Sequence, residues 1–449
     1  MKMKKLMALL LSAVMVLAML AGCSNTGSSE SKAPENNTPS GTEESKAPEG
    51  GKEYEGKTIT MWSMWSSGEP QANVIEGAAA AFEEQTGAKV NIEFKGRDVN
   101  TILSTALESK ENIDIIEDDY QRIGNVYKDF VLDLTDMAKA VNYDSYSYAC
   151  LNNQSIEWTT EYDKDGNVVK EGHLNSIVEQ PNVGGIFYDK DAFDKAGITE
   201  EPKTWDEFLD ACQKLKDAGI APLAQDSTYA DFTFYHTLVR YLGEDKIAEL
   251  NQNGGWAGTA AEQAAQDIID FRNAGYLVDG APDEYPSSQN KIGFGQAAMV
   301  VCASYVTAEV DKATGTQVNW GLMPYPTVDG GADNGAVFAG GNSLAITSYS
   351  ENPQIAFDFI TFLTTGEWGQ KLADEASQIP ADTRNNSPES VVDGGKEALL
   401  AADKPMSWCS GLKANVDLKD TVKSMCVELF EGKYATGADF CAAMDALYK

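Results

Sequence analysis

Strand-like and helix-like patterns alternate along most of this chain, and this alternation limits the possible folds more than any other feature. Residues 57–62 alternate apolar side chains with threonines, which predicts a strand. Residues 71–86 then repeat apolar side chains at helical spacing, Gly87 ends that helix, and residues 90–94 predict a second strand. Strands that alternate with helices predict an α/β fold with largely parallel sheets, whose ligands bind beyond the carboxyl ends of the strands.

The same alternation continues beyond the second strand. Thr204 and Glu207 predict a capping box, in which the hydroxyl and the carboxylate each satisfy a backbone N–H at the start of a helix. Cys212 falls on the apolar face of that helix and is therefore predicted to be buried. A helix is also predicted at 100–110, and further strands are predicted at 113–116, 186–188, 220–224 and 299–302.

Charge and composition narrow the possible partners. The chain has 449 residues, 43% of them hydrophobic, which is enough for a sizeable core in about two or three domain-sized units. Its formal net charge of −34 repels phosphate backbones and anionic lipid headgroups, so neither nucleic acid nor direct docking on a membrane surface is expected. The two histidines, His173 and His236, are far apart in sequence, which excludes a histidine-rich metal site. No metal and no cofactor are predicted.

The seven cysteines are scattered over the chain and predict neither a disulfide scaffold nor a zinc ribbon. Apart from Cys23, they could pair with one another, but their spacing favours no particular disulfide. Cys426 and Cys441 lie in the last two predicted helices and could approach each other.

The first 23 residues carry the most specific motif of the chain. Three lysines within residues 1–5 precede an apolar run from Leu6 to Leu20, which has the length of a signal-peptide core and is too short for a permanent membrane helix. The run ends in Leu20-Ala21-Gly22-Cys23, which resembles a bacterial lipobox. We therefore predict that residues 1–22 are a lipoprotein signal peptide and that Cys23 receives a lipid anchor. The alternative is an ordinary secretory signal with an incidental cysteine.

A polar segment follows the cysteine. Residues 24–53 contain almost no large apolar side chains and repeat the hexapeptide Glu-Ser-Lys-Ala-Pro-Glu at 30–35 and 44–49. Such a segment cannot bury enough surface to offset its ordering entropy, so residues 23–56 are predicted to be the lipidated cysteine and a disordered tether. About thirty flexible residues reach roughly 30 Å, which keeps a folded body near a partner in the membrane. No later segment has enough consecutive apolar residues for a membrane span, so the rest is expected to be a soluble body on this anchor.

Four segments carry a family resemblance. They are Ile59–Trp62 with the alanine-rich helix up to Gly87, Gly185–Asp191 with Lys195–Gly197 and Thr204–Phe208, Phe294–Met299, and Gly340–Ile346 before a helix at 353–363. In this order they make the chain similar to extracellular solute-binding proteins of ABC importers, the family 1 group that includes maltose-binding proteins. The resemblance covers nearly all of residues 57–449. It implies a two-lobed type II periplasmic-binding-protein fold of the α/β class, with a hinge between the lobes and a ligand cleft at their interface.

The resemblance also implies how the chain divides. The N-terminal lobe would take residues 57–180 and 320–372, and the C-terminal lobe would take residues 181–319 and 373–449. Both lobes are therefore expected to be discontinuous in sequence.

The function that the resemblance implies is solute capture without covalent chemistry. A lipid-anchored receptor on the extracellular face of the cell membrane, in a Gram-positive bacterium, would bind a carbohydrate, and in particular an oligosaccharide, by hinge closure. It would act as a monomer and deliver the sugar to ABC permease subunits, whose separate ATPase supplies energy because this chain has no P-loop motif. Two alternatives remain open: a secreted glycoside hydrolase with paired carboxylates, and the same receptor mechanism with a non-sugar solute. No enzymatic activity is predicted, because no catalytic motif emerges.

Ligand contacts of the family lie in loops after strands, and this chain carries residues suited to a sugar there. Carboxylates and amides meet hydroxyl groups, and aromatic rings suit the C–H faces of a sugar ring. The predicted ligand-binding residues are Trp65, Ser66, Asp118, Asp119, Tyr120, Asn182, Asp226, Tyr229, Tyr305, Gly341, Arg384 and Trp408.

Several of these residues have a second interpretation. The acids at 117–119 could form a solvated loop, Arg384 could form a surface ion pair, and the aromatic rings could simply pack. Tyr305 stands where the family often has tryptophan, which predicts a stacking role. Ser66 and Ser67 stand where maltose-binding members carry charged residues, so maltose is not expected.

Residues 144–180 form a longer connection than the family usually has. Within it, residues 162–168 predict a hairpin turn. Oxygen ligands also alternate at 163, 165 and 167, as they do in calcium loops. However, Gly166 comes too early for an EF-hand, and Leu174 occupies the position that needs a terminal glutamate, so the turn is favoured.

Overall fold

The computed structural model describes residues 52–164, 166–389, 392–402, 405–415 and 417–449. The predicted signal peptide, the lipidation of Cys23 and the tether up to residue 51 lie outside the described residues. Tyr54 already belongs to the folded body, because its hydroxyl donates to Asp358 Oδ2 at 2.5 Å and its ring packs against buried apolar side chains. The folded body therefore begins before residue 57, although the predicted tether extends to residue 56.

Strands and helices alternate in the described residues as the patterns predict. The strands described are β1 (Thr58–Ser63), β2 (Lys89–Phe94), β3 (Ile115–Asp119), β4 (Glu161–Tyr162), β5 (Val168–Lys170), β6 (Ile177–Asp189), β7 (Ala221–Ala224), β8 (Ala297–Ala303), β9 (Trp320–Met323) and β10 (Ala339–Ile346). The α-helices described are α1 (Pro70–Thr86), α2 (Val99–Glu108), α3 (Tyr120–Asn125), α4 (Thr135–Ala140), α5 (Ala149–Thr159), α6 (Lys190–Lys195), α7 (Trp205–Asp217), α8 (Ala230–Leu242), α9 (Glu244–Asn253), α10 (Ala261–Asn273), α11 (Asn290–Gly293), α12 (Val306–Thr314), α13 (Pro353–Thr364), α14 (Gly366–Ala376), α15 (Gly395–Ala401), α16 (Lys419–Glu431) and α17 (Gly437–Asp445). Gly87 ends α1 in a left-handed conformation, and Thr204 and Glu207 form the predicted capping box of α7.

The strand order explains how the two ends of the sheet are joined. Strands pair in the order β2-β1-β3-β10-β6-β8-β7, and β9 also pairs with β6. The pairs β1/β2, β1/β3 and β7/β8 are parallel. In contrast, β10 pairs antiparallel with β3 and β6, and β6 pairs antiparallel with β8 and β9. The prediction of largely parallel sheets is therefore wrong for the middle of the sheet, where β6 and β10 cross between the parallel ends.

Strand β6 is 13 residues long and changes partners halfway. Its first half pairs with β10, and its second half, from Gly184 on, pairs with β8 and β9. A Cβ at Gly184 would lie 2.9 Å from Phe338 Cβ, and a Cβ at Gly185 would lie 2.9 Å from the carbonyl oxygen of Met323. The neighbouring chain can approach this closely because neither residue has a side chain.

The body has two lobes with separate apolar cores. One core gathers side chains from β1, α1, α13 and the start of β6, and includes Phe359. The other gathers side chains from the end of β6, β8, α8, α10 and α17, and includes Phe187. Trp320 and Met323 of β9 pack in this second core, because β9 pairs with the second half of β6. Residues 320–372 were expected to belong to the N-terminal lobe. Their first strand, β9, packs instead with the core of the second lobe.

Two strands differ from their predicted bounds. β3 continues through Glu117 and Asp118 to Asp119, although a loop was expected to begin at residue 117. Asn182 was expected to precede the crossing strand and instead lies inside β6. In both cases antiparallel pairing with β10 extends the strand through polar residues that the local pattern assigns to a loop.

The predicted hairpin turn is confirmed. β4 and β5 pair antiparallel, and the carboxylate of Asp163 accepts hydrogen bonds from the backbone N–H of Asn167 at 2.9 Å and from its side-chain amide. The hairpin is a surface feature, with exposed side chains on both strands.

Six cysteines lie in the described residues, and all six are buried thiols outside any disulfide. Cys212 is fully buried, as predicted, and Cys426 and Cys441 do not form a disulfide. Within the same residues, no helix combines the length and the apolarity needed to span a membrane.

Acidification is expected to destabilise the folded protein through His236. This side chain of α8 is 1% exposed, its Nδ1 lies 2.9 Å from the carbonyl oxygen of Phe232, and burial lowers its pKa to about 3. Below pH 6.5 the unfolded chain binds a proton that the folded protein excludes. The contribution of His236 should therefore lower the unfolding free energy by about 2 kcal/mol between pH 7 and pH 5. Urea unfolding of the wild type and of His236→Gln at both pH values measures this contribution.

A residue that does not titrate supplies the control for this measurement. Gln252→Ala, at an exposed position of α9, should leave the dependence of stability on pH as it is in the wild type. If His236→Gln shows the same loss between pH 7 and pH 5 as the wild type, the prediction is wrong.

Candidate functional site

A cavity of 840 Å³ opens between the two lobes, beside the crossing strands β6 and β10. The structure brings seven of the predicted ligand-binding residues together in its lining: Trp65, Asp119, Asn182, Tyr229, Tyr305, Gly341 and Trp408. Three of them follow parallel strands, since Trp65 comes two residues after β1, Tyr229 five residues after β7 and Tyr305 two residues after β8. The carboxyl ends of parallel strands are the usual position for ligands in α/β sheets, and here they face one cavity from both lobes.

Aromatic rings line the side of the cavity that belongs to the second lobe. The ring centroid of Tyr229 lies 5.9 Å from that of Tyr285, 6.4 Å from that of Tyr305 and 6.3 Å from that of Trp408. The Trp408 ring also packs edge-on to Phe338, at 5.6 Å. Because each ring packs on another, the wall is held in place before any ligand arrives, which lowers the entropy cost of binding a flat apolar face.

Trp65 forms the wall on the side of the first lobe. The guanidinium of Arg97 lies 4.5 Å from the centre of its ring and pairs with Glu69 at 3.0 Å. Ser66 is exposed, its backbone N–H donates to Glu69 Oε2 at 2.7 Å, and it does not line the cavity. The prediction that Ser66 faces the ligand is therefore corrected: the residue belongs to the turn that leads into α1.

The crossing strands supply amide groups to the cavity. Asn342 Nδ2 donates to Gln180 Oε1 at 2.8 Å, and the hydroxyl of Ser304 donates to Asn182 Oδ1 at 3.3 Å. Gly341 has a φ of 146°, and a Cβ there would lie 2.0 Å from the carbonyl oxygen of Gln180, so only glycine fits. Side-chain amides offer both donors and acceptors, which suits ligands that carry hydroxyl groups.

The charged residues of the lining are mostly acidic. They are Glu69, Asp119, Glu309, Asp311 and Glu375, against Arg97, Arg122 and Lys312. Both arginines are already paired with carboxylates, Arg97 with Glu69 and Arg122 with Asp118. Burial raises the pKa of Glu309, which accepts a hydrogen bond from Gln289 Nε2 at 3.2 Å. The cavity therefore offers little positive charge to an anionic ligand. Among the described residues, no group of three or more His, Cys, Asp or Glu is placed to hold a metal ion.

Asp118 and Asp119 have different positions. Asp119 lines the cavity and caps α3, where its carboxylate accepts the backbone N–H of Arg122 at 3.1 Å. Asp118 is fully buried and receives the guanidinium of Arg122, with Nε at 2.9 Å from Oδ2. This partner raises the pKa of Arg122 despite burial. Asp118 thus holds Arg122 within the first lobe, and its predicted contact with the ligand is corrected.

Three further predicted residues lie away from the cavity. Tyr120 is buried, and its hydroxyl donates to the carbonyl oxygen of Leu151. Asp226 is 1% exposed and accepts backbone N–H groups of Ser288 at 2.8 Å and Gln289 at 3.0 Å. Burial raises the pKa of Asp226 to about 6. Tyr120 thus links α3 to α5, Asp226 holds the segment that leads into α11, and neither side chain lines this cavity.

Arg384 is the third of these. Its Nη2 pairs with Asp382 Oδ2 at 2.6 Å, and its guanidinium lies 4.0 Å from the centre of the Tyr146 ring. The side chain is 58% exposed and does not line the cavity. Of the two interpretations of Arg384, the structure supports the surface ion pair.

Two buried glutamates lie behind Trp65. Glu117 of β3 and Glu179 of β6 are both fully buried, and their carboxyl groups are close enough to interact with each other. Burial raises the pKa of both, and the neighbouring indole of Trp65 and hydroxyl of Ser63 lower that of Glu117. Two interacting carboxyl groups in a dry interior favour a shared proton over two charges.

Sequence reasoning missed several residues of the lining. Gln180 and Asn342 face the cavity from the crossing strands, and Tyr285 and Phe338 complete the aromatic wall. Asn342 stands next to Gly341 in a motif that carries the family resemblance, so that motif could have indicated it. No local pattern marks Tyr285 or Phe338, because only the packing of distant segments brings them to the cavity.

Comparison with known families gives one extended match. The family described as bacterial extracellular solute-binding protein matches residues 65–370, which is more than half of the chain. Among curated proteins, the sn-glycerol-3-phosphate-binding periplasmic protein UgpB of Salmonella paratyphi A is 29% identical over 221 residues, covering 45% of this chain and 48% of that protein. The chain thus spans about half the length of this relative. The melibiose/raffinose/stachyose-binding protein MelE of Bacillus subtilis is 22% identical over 351 residues, covering 73% of this chain and 75% of MelE.

Solved structures show the same fold at lower identity. A chitin oligosaccharide binding protein superposes with a TM-score of 0.67 and 20% identity, over 87% of this chain and 98% of that chain. The binding protein RafE in complex with raffinose superposes with a TM-score of 0.66 and 16% identity, over 87% of this chain and 100% of RafE. These matches show the two-lobed α/β fold of type II solute-binding proteins.

Proposed function

Since this chain belongs to the family of bacterial extracellular solute-binding proteins, we propose that it captures a carbohydrate, and in particular an oligosaccharide, in the cavity between its lobes and delivers it to an ABC importer. The observation that carries this proposal is the composition of the cavity: aromatic rings from both lobes face amide groups on the crossing strands. Rings suit the C–H faces of sugars, and amides suit their hydroxyl groups. The volume of 840 Å³ lies in the upper part of the usual range for ligand pockets, which favours several sugar units over one.

Two relatives support a neutral sugar, and one points to an anion. MelE is named for melibiose, raffinose and stachyose, and RafE was solved with raffinose, whereas UgpB is named for sn-glycerol 3-phosphate. A phosphate ligand would need unpaired cations, but Arg97 and Arg122 are paired, and five acids outnumber the third cation, Lys312, in the same lining. The charges of the cavity therefore favour an uncharged carbohydrate over a sugar or polyol phosphate.

The proposed mechanism is hinge closure about the crossing strands. A ligand that contacts rings of both lobes binds the closed state better than the open state and so shifts the equilibrium toward closure. The hinge would lie where β6 changes partners at Gly184. No covalent step is involved, in keeping with a family of binding proteins rather than enzymes.

The proposed location rests on the sequence of the first 56 residues. Removal of residues 1–22 and lipidation of Cys23 would anchor the receptor to the extracellular face of the membrane. The polar segment that follows would tether the folded body within reach of its permease. The receptor would act as a monomer.

A thermal-shift screen of residues 24–449 tests the proposed ligand class. A ligand at one hundred times its dissociation constant adds about 2.7 kcal/mol to the stability of the folded protein. We expect a raised melting temperature with at least one class of neutral oligosaccharide and none with sn-glycerol 3-phosphate. A raised melting temperature with the phosphate alone would contradict the carbohydrate proposal. An unchanged melting temperature with every sugar in the panel would contradict it as well. Prolonged incubation with the binding sugar, followed by chromatography, should return it intact, and released products would instead favour a hydrolase.

A further inference from the structure

Trp408 is followed by a turn that L-residues rarely adopt. Cys409 has a φ of 46° and Ser410 a φ of 48°, and both are followed by Gly411 with a φ of 80°. Two consecutive non-glycine residues in the left-handed region cost free energy, and the surrounding structure must hold them there. Cys409 is fully buried and Ser410 is 1% exposed, so solvent does not stabilise this turn.

Glu244, at the start of α9, binds this turn from a position 163 residues earlier in the chain. Its Oε1 accepts the backbone N–H of Ser407 at 3.1 Å and the Ser407 hydroxyl at 2.7 Å. Its Oε2 accepts the hydroxyl of Ser410 at 2.8 Å. One carboxylate therefore holds the residue before Trp408 and the second residue after it. Hydrogen bonds to a charged group are stronger than neutral ones, which suits a strained segment.

Asn251, two turns further along α9, completes the clamp. Its Nδ2 donates to the carbonyl oxygens of Cys409 at 3.2 Å and Ser410 at 3.0 Å. Its Oδ1 accepts the hydroxyl of Tyr235 at 2.5 Å, which fixes the direction of the amide. Both carbonyl groups of the left-handed residues are thus satisfied by one buried side chain.

The turn sets the position of the Trp408 ring. The ring packs 4.3 Å from Phe232 and faces the cavity together with Tyr229. If the turn relaxed to an ordinary conformation, the backbone on the C-terminal side of Trp408 would change direction and the ring would leave its place in the wall. We propose that Glu244 is a positioning residue of the ligand cavity, which holds the strained turn and thereby the ring of Trp408. This proposal depends on the proposed function in one respect, which is that the ring of Trp408 contacts the ligand.

The effect of Glu244 on binding should pass through Trp408. Glu244→Ala is expected to weaken binding of the sugar found in the screen by about fivefold to tenfold. Trp408→Ala should weaken it by about tenfold or more, and Glu244→Ala/Trp408→Ala should match Trp408→Ala alone, since the ring that Glu244 positions is then gone. Glu249→Ala, which removes an exposed carboxylate from the same helix, is the matched control and should bind as the wild type does.

A second readout does not need a ligand. With 5-fluorotryptophan in place of the eight tryptophans, the ¹⁹F resonance of Trp408 is assigned as the one that disappears in Trp408→Phe. Glu244→Ala should shift or broaden this resonance more than any other, and Glu249→Ala should leave it unchanged. If no sugar binds the wild type, the proposed function fails, and this measurement still decides the positioning role.

Three results would overturn the proposal. One is an unchanged Trp408 resonance in Glu244→Ala. Another is wild-type affinity in a Glu244→Ala protein whose melting temperature is lowered, which would make Glu244 merely structural. The third is that Glu244→Ala lowers ligand affinity by the same factor in the wild type and in the Trp408→Ala background. If Glu244→Ala does not fold, Ser410→Ala removes one hydrogen bond of the clamp and is tested in the same way.

Discussion

Replacing Tyr305 with alanine is expected to weaken carbohydrate binding by about tenfold or more, which is about 1.4 kcal/mol, while the protein stays folded. Tyr305 lies between β8 and α12, lines the cavity and packs 6.4 Å from Tyr229. Alanine removes a ring that would cover one face of a sugar, and little of the core depends on that ring because it is only partly buried. Isothermal titration calorimetry with the sugar found in the screen measures the loss.

Two variants separate stacking from other effects of this substitution. Tyr305→Phe keeps the ring and removes the hydroxyl, so it should bind much more tightly than Tyr305→Ala. Tyr162→Ala removes an exposed tyrosine from the β4–β5 hairpin, outside the lining of the cavity, and should bind as the wild type does. Equal affinity of Tyr305→Ala and the wild type would reject the stacking role.

Replacing Arg240 with methionine is expected to lower the unfolding free energy by about 4 kcal/mol, the largest loss that we predict for a single substitution. Arg240 of α8 is 1% exposed, and burial lowers its pKa to about 10, so it remains charged at neutral pH. Its guanidinium donates to four backbone carbonyls of the connection between β9 and β10: Tyr325 at 3.1 Å, Pro326 at 3.3 Å, Asp333 at 3.3 Å and Ala336 at 2.9 Å. Methionine fills a similar volume and leaves these carbonyls without a donor, which costs about 1–3 kcal/mol for each buried group.

Urea unfolding of the wild type and Arg240→Met measures this loss. Lys246→Met removes an exposed cation from the neighbouring helix α9 and should change stability by less than about 0.5 kcal/mol. A loss below about 1 kcal/mol in Arg240→Met would show that the four carbonyls find other partners. Because the same connection leads to Phe338 in the cavity wall, the variant should also bind its ligand less tightly than Lys246→Met does.

Local patterns predict the elements of this fold better than they predict their pairing. β1, α1 and the capping box of α7 depend on neighbouring residues, and all are found where the pattern places them. β6 contains Asn182 and two adjacent glycines, which weaken a strand pattern, and it still runs for 13 residues because β10, β8 and β9 pair with it. These partners lie more than 100 residues away, so the antiparallel crossing at the centre of the sheet cannot be read from any local segment.

The candidate site shows the same difference between features that local patterns predict and features that distant contacts determine. The aromatic residues that follow strands, Trp65, Tyr229 and Tyr305, reach the cavity because a position at the end of a strand is a local property. Asp118 and Asp226 also follow apolar runs, but each is buried against partners that the run does not reveal, such as the backbone of Ser288. For an acidic residue, position along the chain therefore predicts less than the donors that surround it in the fold.

Because its described cysteines are buried, this protein is a convenient scaffold for a fluorescent sensor. Burial raises the pKa of Cys150 to about 11 and that of Cys441 to about 12, and all six described thiols are shielded from reagents. In a protein that begins at Ser24, a single cysteine introduced by Ser66→Cys would offer maleimide one accessible thiol, next in sequence to Trp65 of the cavity wall. If the lobes close on the ligand as proposed, a dye attached there would report closure as a change in emission, so the concentration of the captured solute could be read continuously without labelling the solute.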